Sequence, residues 1–154
     1  MQLGSVRVTE RALGRGVVSA TSDLAARAMI DVEIESAFSA RPDFEAVVGQ
    51  VRLVGLAGTV ATLAQMDADL LVYDREVVHH RTLSLATVDR WRDLLASETP
   101  EVRLGHLGMV KGREDVLPAG LYILDAVMRR LDVDQLLSSE NDILDGIVAS
   151  LLAP

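Results

Sequence analysis

Apolar residues recur along this 154-residue chain with two periods, and the switch from one to the other marks the predicted elements. Residues 3–10 alternate Val6 and Val8 with Arg7 and Thr9, the two-residue period of a half-buried strand. Gly14-Arg15-Gly16 then predicts a turn. From Ser22 to Ala40 the residues Leu24, Ala25, Ala28, Met29, Val32, Ala37 and Phe38 follow a helical stripe, with Ser22 or Asp23 as its cap and Arg41-Pro42 as its stop. Residues 50–57 predict a second strand with Val51, Leu53, Val54 and Leu56 buried on both faces, and a helix follows directly from Thr59 to Asp67. Over 84–97, Leu85, Val88, Trp91, Leu94 and Leu95 share one side of another helix. A long helix is predicted over 115–131, where Leu117, Leu121, Leu124, Met128 and Leu131 lie three or four apart. Pro118 falls in its first turn, where a missing N–H costs nothing. A short strand at 134–138 and a last helix from Asn141 to Leu152 complete the chain. Helices interleaved with few strands predict an α/β fold with a mostly parallel sheet. No linker, repeat or low-complexity tract interrupts residues 1–154, which read as one domain.

Composition narrows the function classes. Apolar residues make up 49% and charged residues 25%, the balance of a globular domain that buries about two thirds of its surface. The lack of an apolar run of about 18 residues argues against a membrane-spanning helix. A net charge of −8 argues against duplex nucleic acid as a partner. Zero cysteines exclude disulfides and thiol catalysis and fit a reducing cytoplasm, as does an N-terminus without signal-peptide features. His79, His80 and His106 are too few and too poorly flanked for a metal cage. The charge is nonetheless uneven. Asp132, Asp134, Glu140, Asp142 and Asp145 cluster near the C-terminus, whereas residues 102–113 hold Arg103, Lys111 and Arg113 and no acid, a place where a small anion could bind.

Three segments carry candidate chemistry. In Val54-Gly55-Leu56-Ala57-Gly58-Thr59 a buried strand ends in a glycine-rich turn and a helix starts at once. Glycines let backbone pass close to a ligand, and the free N–H groups of a helix start attract phosphate. The same residues equally suit a plain strand-to-helix turn with Thr59 as its cap. The second segment, Gly105 to Gly120, sets Arg113 just before the long helix, where it either grips an anion or pairs with Glu114 or Asp115. The third, Ser138 to Gly146, has three carboxylates in a short span. A helix capped by Ser139 or Asn141 with acids in its first turn accounts for them more simply than a metal. The His79-His80 pair reads as a solvated loop, and Trp91 as core.

Five stretches taken in order resemble the exopolyphosphatase / guanosine pentaphosphate phosphohydrolase family. They are LGSVRVTER (3–11), GLAGTVATLA (55–64), YDREVVHHRTLS (73–84), GREDVLPAGLYILDAVMRRL (112–131) and SSENDILDGIV (138–148). The resemblance implies an actin-like, ribonuclease H-like ATPase fold of two α/β lobes facing across a cleft, each a mixed sheet flanked by helices. It also implies Mg²⁺-assisted release of the terminal phosphate of polyphosphate, or of the 5′ γ-phosphate of guanosine pentaphosphate. The family's first lobe with its catalytic glutamate, and the Asp-x-Gly-Gly-Gly-Ser loop opening the second lobe, have no counterpart in these residues. The chain thus resembles most of a second lobe. Residue by residue, Gly55, Gly58, Thr59 and Arg113 carry over as phosphate-binding positions; no catalytic base and no metal ligand does. The resemblance makes a polyphosphate or guanosine nucleotide and a missing N-terminal lobe the expected partners. An unpaired sheet edge makes a homo-oligomer the expected assembly. Two other readings use the same residues: a non-catalytic phosphate- or nucleotide-binding regulator, and a structural dimerisation module.

Overall fold

A computed structural model describes residues 2–152. The chain opens on a single helical turn, α1 (Ser5–Val8), continued by a π-helical turn at Thr9–Leu13, where a strand was expected. The alternation of Val6 and Val8 covers too few positions to decide the period. The buried residues are Val8, Thr9 and Leu13, a helical spacing, while Val6 is exposed. Helix α2 (Ala20–Ala40) starts earlier than the pattern indicated, because Ser19 and neither Ser22 nor Asp23 is its cap: the Ser19 hydroxyl accepts the Ser22 N–H at 3.1 Å. Its buried face is also rotated from the expected stripe, running Ala26, Ile30, Ile34 and Phe38, with Leu24 and Val32 in solvent. Apolar residues surround this helix, so its own sequence does not choose a face; the packing partner does.

A 3₁₀ helix at Pro42–Val47 leads to strand β1 (Leu53–Leu56) and helix α3 (Ala57–Asp67). Then come the short α4 (Arg75–Val78), strand β2 (Thr82–Ser84), α5 (Leu85–Ala96), α6 (Pro100–Arg103), α7 (Leu117–Arg130), strand β3 (Gln135–Ser139) and α8 (Ile143–Leu152). β3 is the central strand. It pairs parallel with β1, Leu53 opposite Leu136 and Leu56 opposite Ser139, and antiparallel with β2, Thr82 opposite Leu137. The sheet is therefore mixed. The antiparallel β2 has no signal of its own in the sequence, being three residues long with only Leu83 buried. β1 is an edge strand, and Val54 and Leu56 are half exposed rather than buried on both faces.

Helix α7 organises the interior by burying two faces at once. Leu117, Leu121 and Met128 join Val60, Leu63, Met66, Leu83, Val88, Trp91, Leu95 and Leu136 in a cluster between the sheet, α3 and α5. Ala119 and Tyr122 look the other way, onto Val8, Leu13, Ala26, Ile30 and Ile34. Each fully buried Leu or Ile contributes about 2 kcal/mol of transfer free energy, so the 117–131 pattern is the strongest in the chain for a physical reason. One carboxylate is buried with it. Asp125 receives Arg92 and Arg129, each at 2.6 Å, and burial of such a charge is tolerable only in this paired form. No described helix is long and apolar enough to cross a membrane. At the far end α8 touches little, and Ile143, Leu144, Ile147, Val148, Leu151 and Leu152 are all exposed.

Candidate functional site: the β1–α3 joint and Arg113

The chain turns from β1 into α3 without a loop. Leu56 is extended, and Ala57 has φ +67°, a left-handed conformation that costs a residue with a β-carbon about 1–2 kcal/mol. No side chain caps α3, and Thr59 stands inside the first turn rather than before it. The cap expected of Thr59 is therefore not made, because the helix begins two residues earlier than the sequence pattern indicated. The opening N–H groups of α3 carry no side-chain partner and lie at the positive end of the helix dipole.

The expected site residues divide into two groups. Gly55 faces inward: a β-carbon there would lie 2.7 Å from Val60 Cγ2 and 3.0 Å from Leu136 Cδ1, so its bare α-carbon lets α3 close onto the sheet. Gly58, Thr59 and Arg113 come together across the joint. A β-carbon on Gly58 would overlap the Arg113 guanidinium, which lies directly over the first turn of α3. The Thr59 side chain rests against Gly120 of α7.

Arg113 is exposed and, among the described residues, has no carboxylate partner. Both acids that might have neutralised it are engaged elsewhere. Asp115 pairs with Arg15 at 3.5 Å, and Glu114 accepts the Gly112 N–H at 2.6 Å. Its backbone is tied into the start of α7: the Arg113 carbonyl accepts the N–H groups of Val116 and Leu117 at 3.0 and 2.8 Å. Gly112, at φ +88°, makes the turn that delivers it. An unneutralised guanidinium above an uncapped helix start supplies the kind of donors and charge that an anion with several oxygens would need.

Other expectations resolve differently. Arg103, grouped by sequence with Lys111 and Arg113 as a positive stretch, is 1% exposed and wholly occupied by main-chain carbonyls. The acidic segment caps α8, but through Asp142 rather than Ser139 or Asn141: Asp142 Oδ1 accepts the Leu144 N–H, and Asp145 returns to the Asp142 N–H, both at 2.7 Å. His79 and His80 stack at 3.7 Å, and His79 Nδ1 accepts the Glu140 N–H, so this pair is half tied down rather than freely solvated. Trp91 is core. Gly120 and Ala57 were not singled out from the sequence. A glycine inside a strong helical pattern was the available signal for Gly120; an alanine in a left-handed turn leaves none.

Residues 1–153 match the Ppx/GppA phosphatase family. The chain is 32% identical over 153 residues to exopolyphosphatase 2 of Mycobacterium tuberculosis, a match that covers 97% of this chain and 47% of that protein. A crystal structure of an exopolyphosphatase-like protein superposes with a TM-score of 0.86 at 30% identity, covering 99% of this chain and 49% of the other. The Aquifex aeolicus Ppx/GppA phosphatase, in its type II variant, gives a TM-score of 0.86 at 21% identity over 99% of this chain and 48% of its own. The chain thus spans about half the length of the relatives it matches.

Proposed function

Because the chain belongs to the Ppx/GppA phosphatase family and has its actin-like α/β fold, we propose that it forms most of the second lobe of a phosphoanhydride hydrolase. Its substrate is the terminal phosphate of inorganic polyphosphate or the 5′ γ-phosphate of guanosine pentaphosphate. The observation that carries this reading is the Arg113 guanidinium poised over Gly58 at the uncapped start of α3. In this role α3 donates backbone N–H groups to a phosphate oxygen, the Thr59 hydroxyl donates one more, and Arg113 neutralises the charge. Gly55 acts at one remove, by letting β1 and α3 approach.

Among the described residues the joint holds donors and a cation and no cluster of carboxylates. Such a set fits phosphate oxygens and does not fit Mg²⁺, so no metal step is assigned to this wall. The water, the group that orients it and the metal would come from the parts of the two-lobed fold that have no counterpart in these residues. We assign it to the cytoplasm, the reducing compartment that a cysteine-free chain suits.

Calorimetric titration with tripolyphosphate tests the reading. The chain should bind it, Arg113→Ala should weaken binding about tenfold or more for one lost charge-assisted contact, and Gly58→Ala should do the same with its melting temperature unchanged or raised. Equal affinity in all three proteins would refute the assignment.

A further inference from the structure

Arg103 is the largest fully buried side chain among the described residues, at 1% exposure, and it faces no carboxylate within ion-pair distance among them. Four main-chain carbonyls take its guanidinium instead. Nε donates to Leu95 at 2.7 Å, Nη1 to Arg15 at 2.8 Å and to Glu114 at 3.0 Å, and Nη2 to Gly16 at 2.8 Å. These acceptors come from the end of α5, the Gly14–Gly16 turn and the approach to α7, segments far apart in sequence. Burial pulls the guanidinium below its ordinary pKa, opposed by the more distant Asp115, Glu98 and Glu101. An apolar side chain would fill this volume without any such desolvation cost. What only a planar guanidinium supplies is a fixed fork holding several carbonyls at set positions.

One of those carbonyls belongs to Glu114, the residue after Arg113. The turn carrying Arg113 is thus held from both sides: by Arg103 through the Glu114 carbonyl, and by the Glu114 carboxylate on the Gly112 N–H. Among the described residues the Arg113 side chain has no hydrogen-bond or ion-pair partner to aim it, so its direction over Gly58 is set by this backbone. We propose that Arg103 is a positioning residue for Arg113, holding the 112–116 turn at the distance from α3 where an anion meets both the guanidinium and the helix start. The proposal rests on the phosphate role of Arg113 for its functional meaning, but its geometric content does not.

The experiment therefore reads two quantities on the full chain: tripolyphosphate affinity, and the amide NMR resonances of Gly58 and Thr59, to which Arg103 makes no hydrogen bond. Arg103→Met should shift those resonances in the same sense as Arg113→Ala and lower affinity about tenfold. Adding Arg103→Met to Arg113→Ala should cost no further affinity, because both changes remove one interaction. Arg103→Lys, a single-point donor, should fall between wild type and Arg103→Met in both readouts. Additive losses, or unmoved Gly58 and Thr59 resonances in a folded variant, would overturn the proposal. So would unfolding of both Arg103 variants, which would make the residue structural. If wild type fails to bind tripolyphosphate, the phosphate reading falls, and the resonance shifts alone then decide whether Arg103 positions Arg113.

Discussion

Thr59 of α3 stands against the bare α-carbon of Gly120 in α7, so close that a β-carbon there would lie 2.5 Å from Thr59 Oγ1 and 2.8 Å from Cγ2. Both γ-atoms face the glycine, so turning the threonine about χ1 always leaves one of them against it. Two helices that build the candidate site are thereby locked to one spacing. Gly120→Ala should destabilise the chain by about 1–2 kcal/mol, the overpacking penalty less the helix-propensity gain of alanine. Urea unfolding gives the number, and the Thr59→Ser background should lessen the loss. Unchanged stability would mean that α3 and α7 slide freely.

Ala57 offers the opposite case. At φ +67° it occupies a conformation that glycine adopts without steric cost. Ala57→Gly should raise stability by about 0.5–1 kcal/mol, because relieved strain exceeds the entropy glycine loses on folding. A lower melting temperature by calorimetry would show that the turn carries no strain.

Acid and alkali should each unfold the chain through the same pair. The Tyr122 hydroxyl donates to Asp23 at 2.5 Å, and Arg27 donates to the same carboxylate. The Arg27 hydrogen bond, helped by Tyr122 and opposed by burial, holds the Asp23 carboxyl below its ordinary pKa. A depressed carboxyl adds stability above its unfolded value of ~4 and loses it as pH falls through the folded value. Burial first, then the hydrogen bond to Asp23, pushes the Tyr122 hydroxyl well above its usual range. A raised phenol adds stability below ~10 and loses it as pH rises further. Tyr122→Phe should therefore flatten the alkaline limb and Asp23→Asn the acid limb, in denaturation midpoints measured from pH 2 to 11.

No turnover is expected from this chain by itself. Its candidate wall supplies donors for a phosphoryl group, whereas hydrolysis also needs a placed water and a group to orient it. Phosphate release from polyphosphate or guanosine pentaphosphate should match buffer. Metal-dependent release lost in Arg113→Ala would show a complete site instead. In the same preparation sedimentation should show a dimer or larger species, since β1 has a free edge and α8 exposes six large apolar residues. Removing 143–152 should shift the distribution towards monomer.

Helices α5 and α7 were legible because burial wrote their period plainly. Leu117, Leu121 and Met128 in α7, and Val88, Trp91 and Leu95 in α5, could be read as core before any coordinates. The opening segment was not, since a single turn of α1 and a π-helical turn leave too few residues to separate periods of two and four. Nor was the buried face of α2, apolar on every side. At the site, Gly58, Thr59 and Arg113 were legible as residue types, and the meeting of Gly58 with Arg113 across 55 positions of sequence was not. The pairing of Asp115 with Arg15 and the burial of Arg103 left Arg113 without a carboxylate partner among the described residues, and both depend on contacts that no local pattern encodes.

Arg103 reaches its neighbours only through main-chain oxygens, and every amino acid brings such an oxygen, proline included. The knot it ties is blind to the side chains of Leu95, Arg15, Gly16 and Glu114. Those four positions are free to drift so far as this knot is concerned, while the arginine at its centre is not. Within this knot the one substitution that unties every strand of it falls on Arg103, and the apparent tolerance of its four acceptor positions conceals how narrowly their backbone is held.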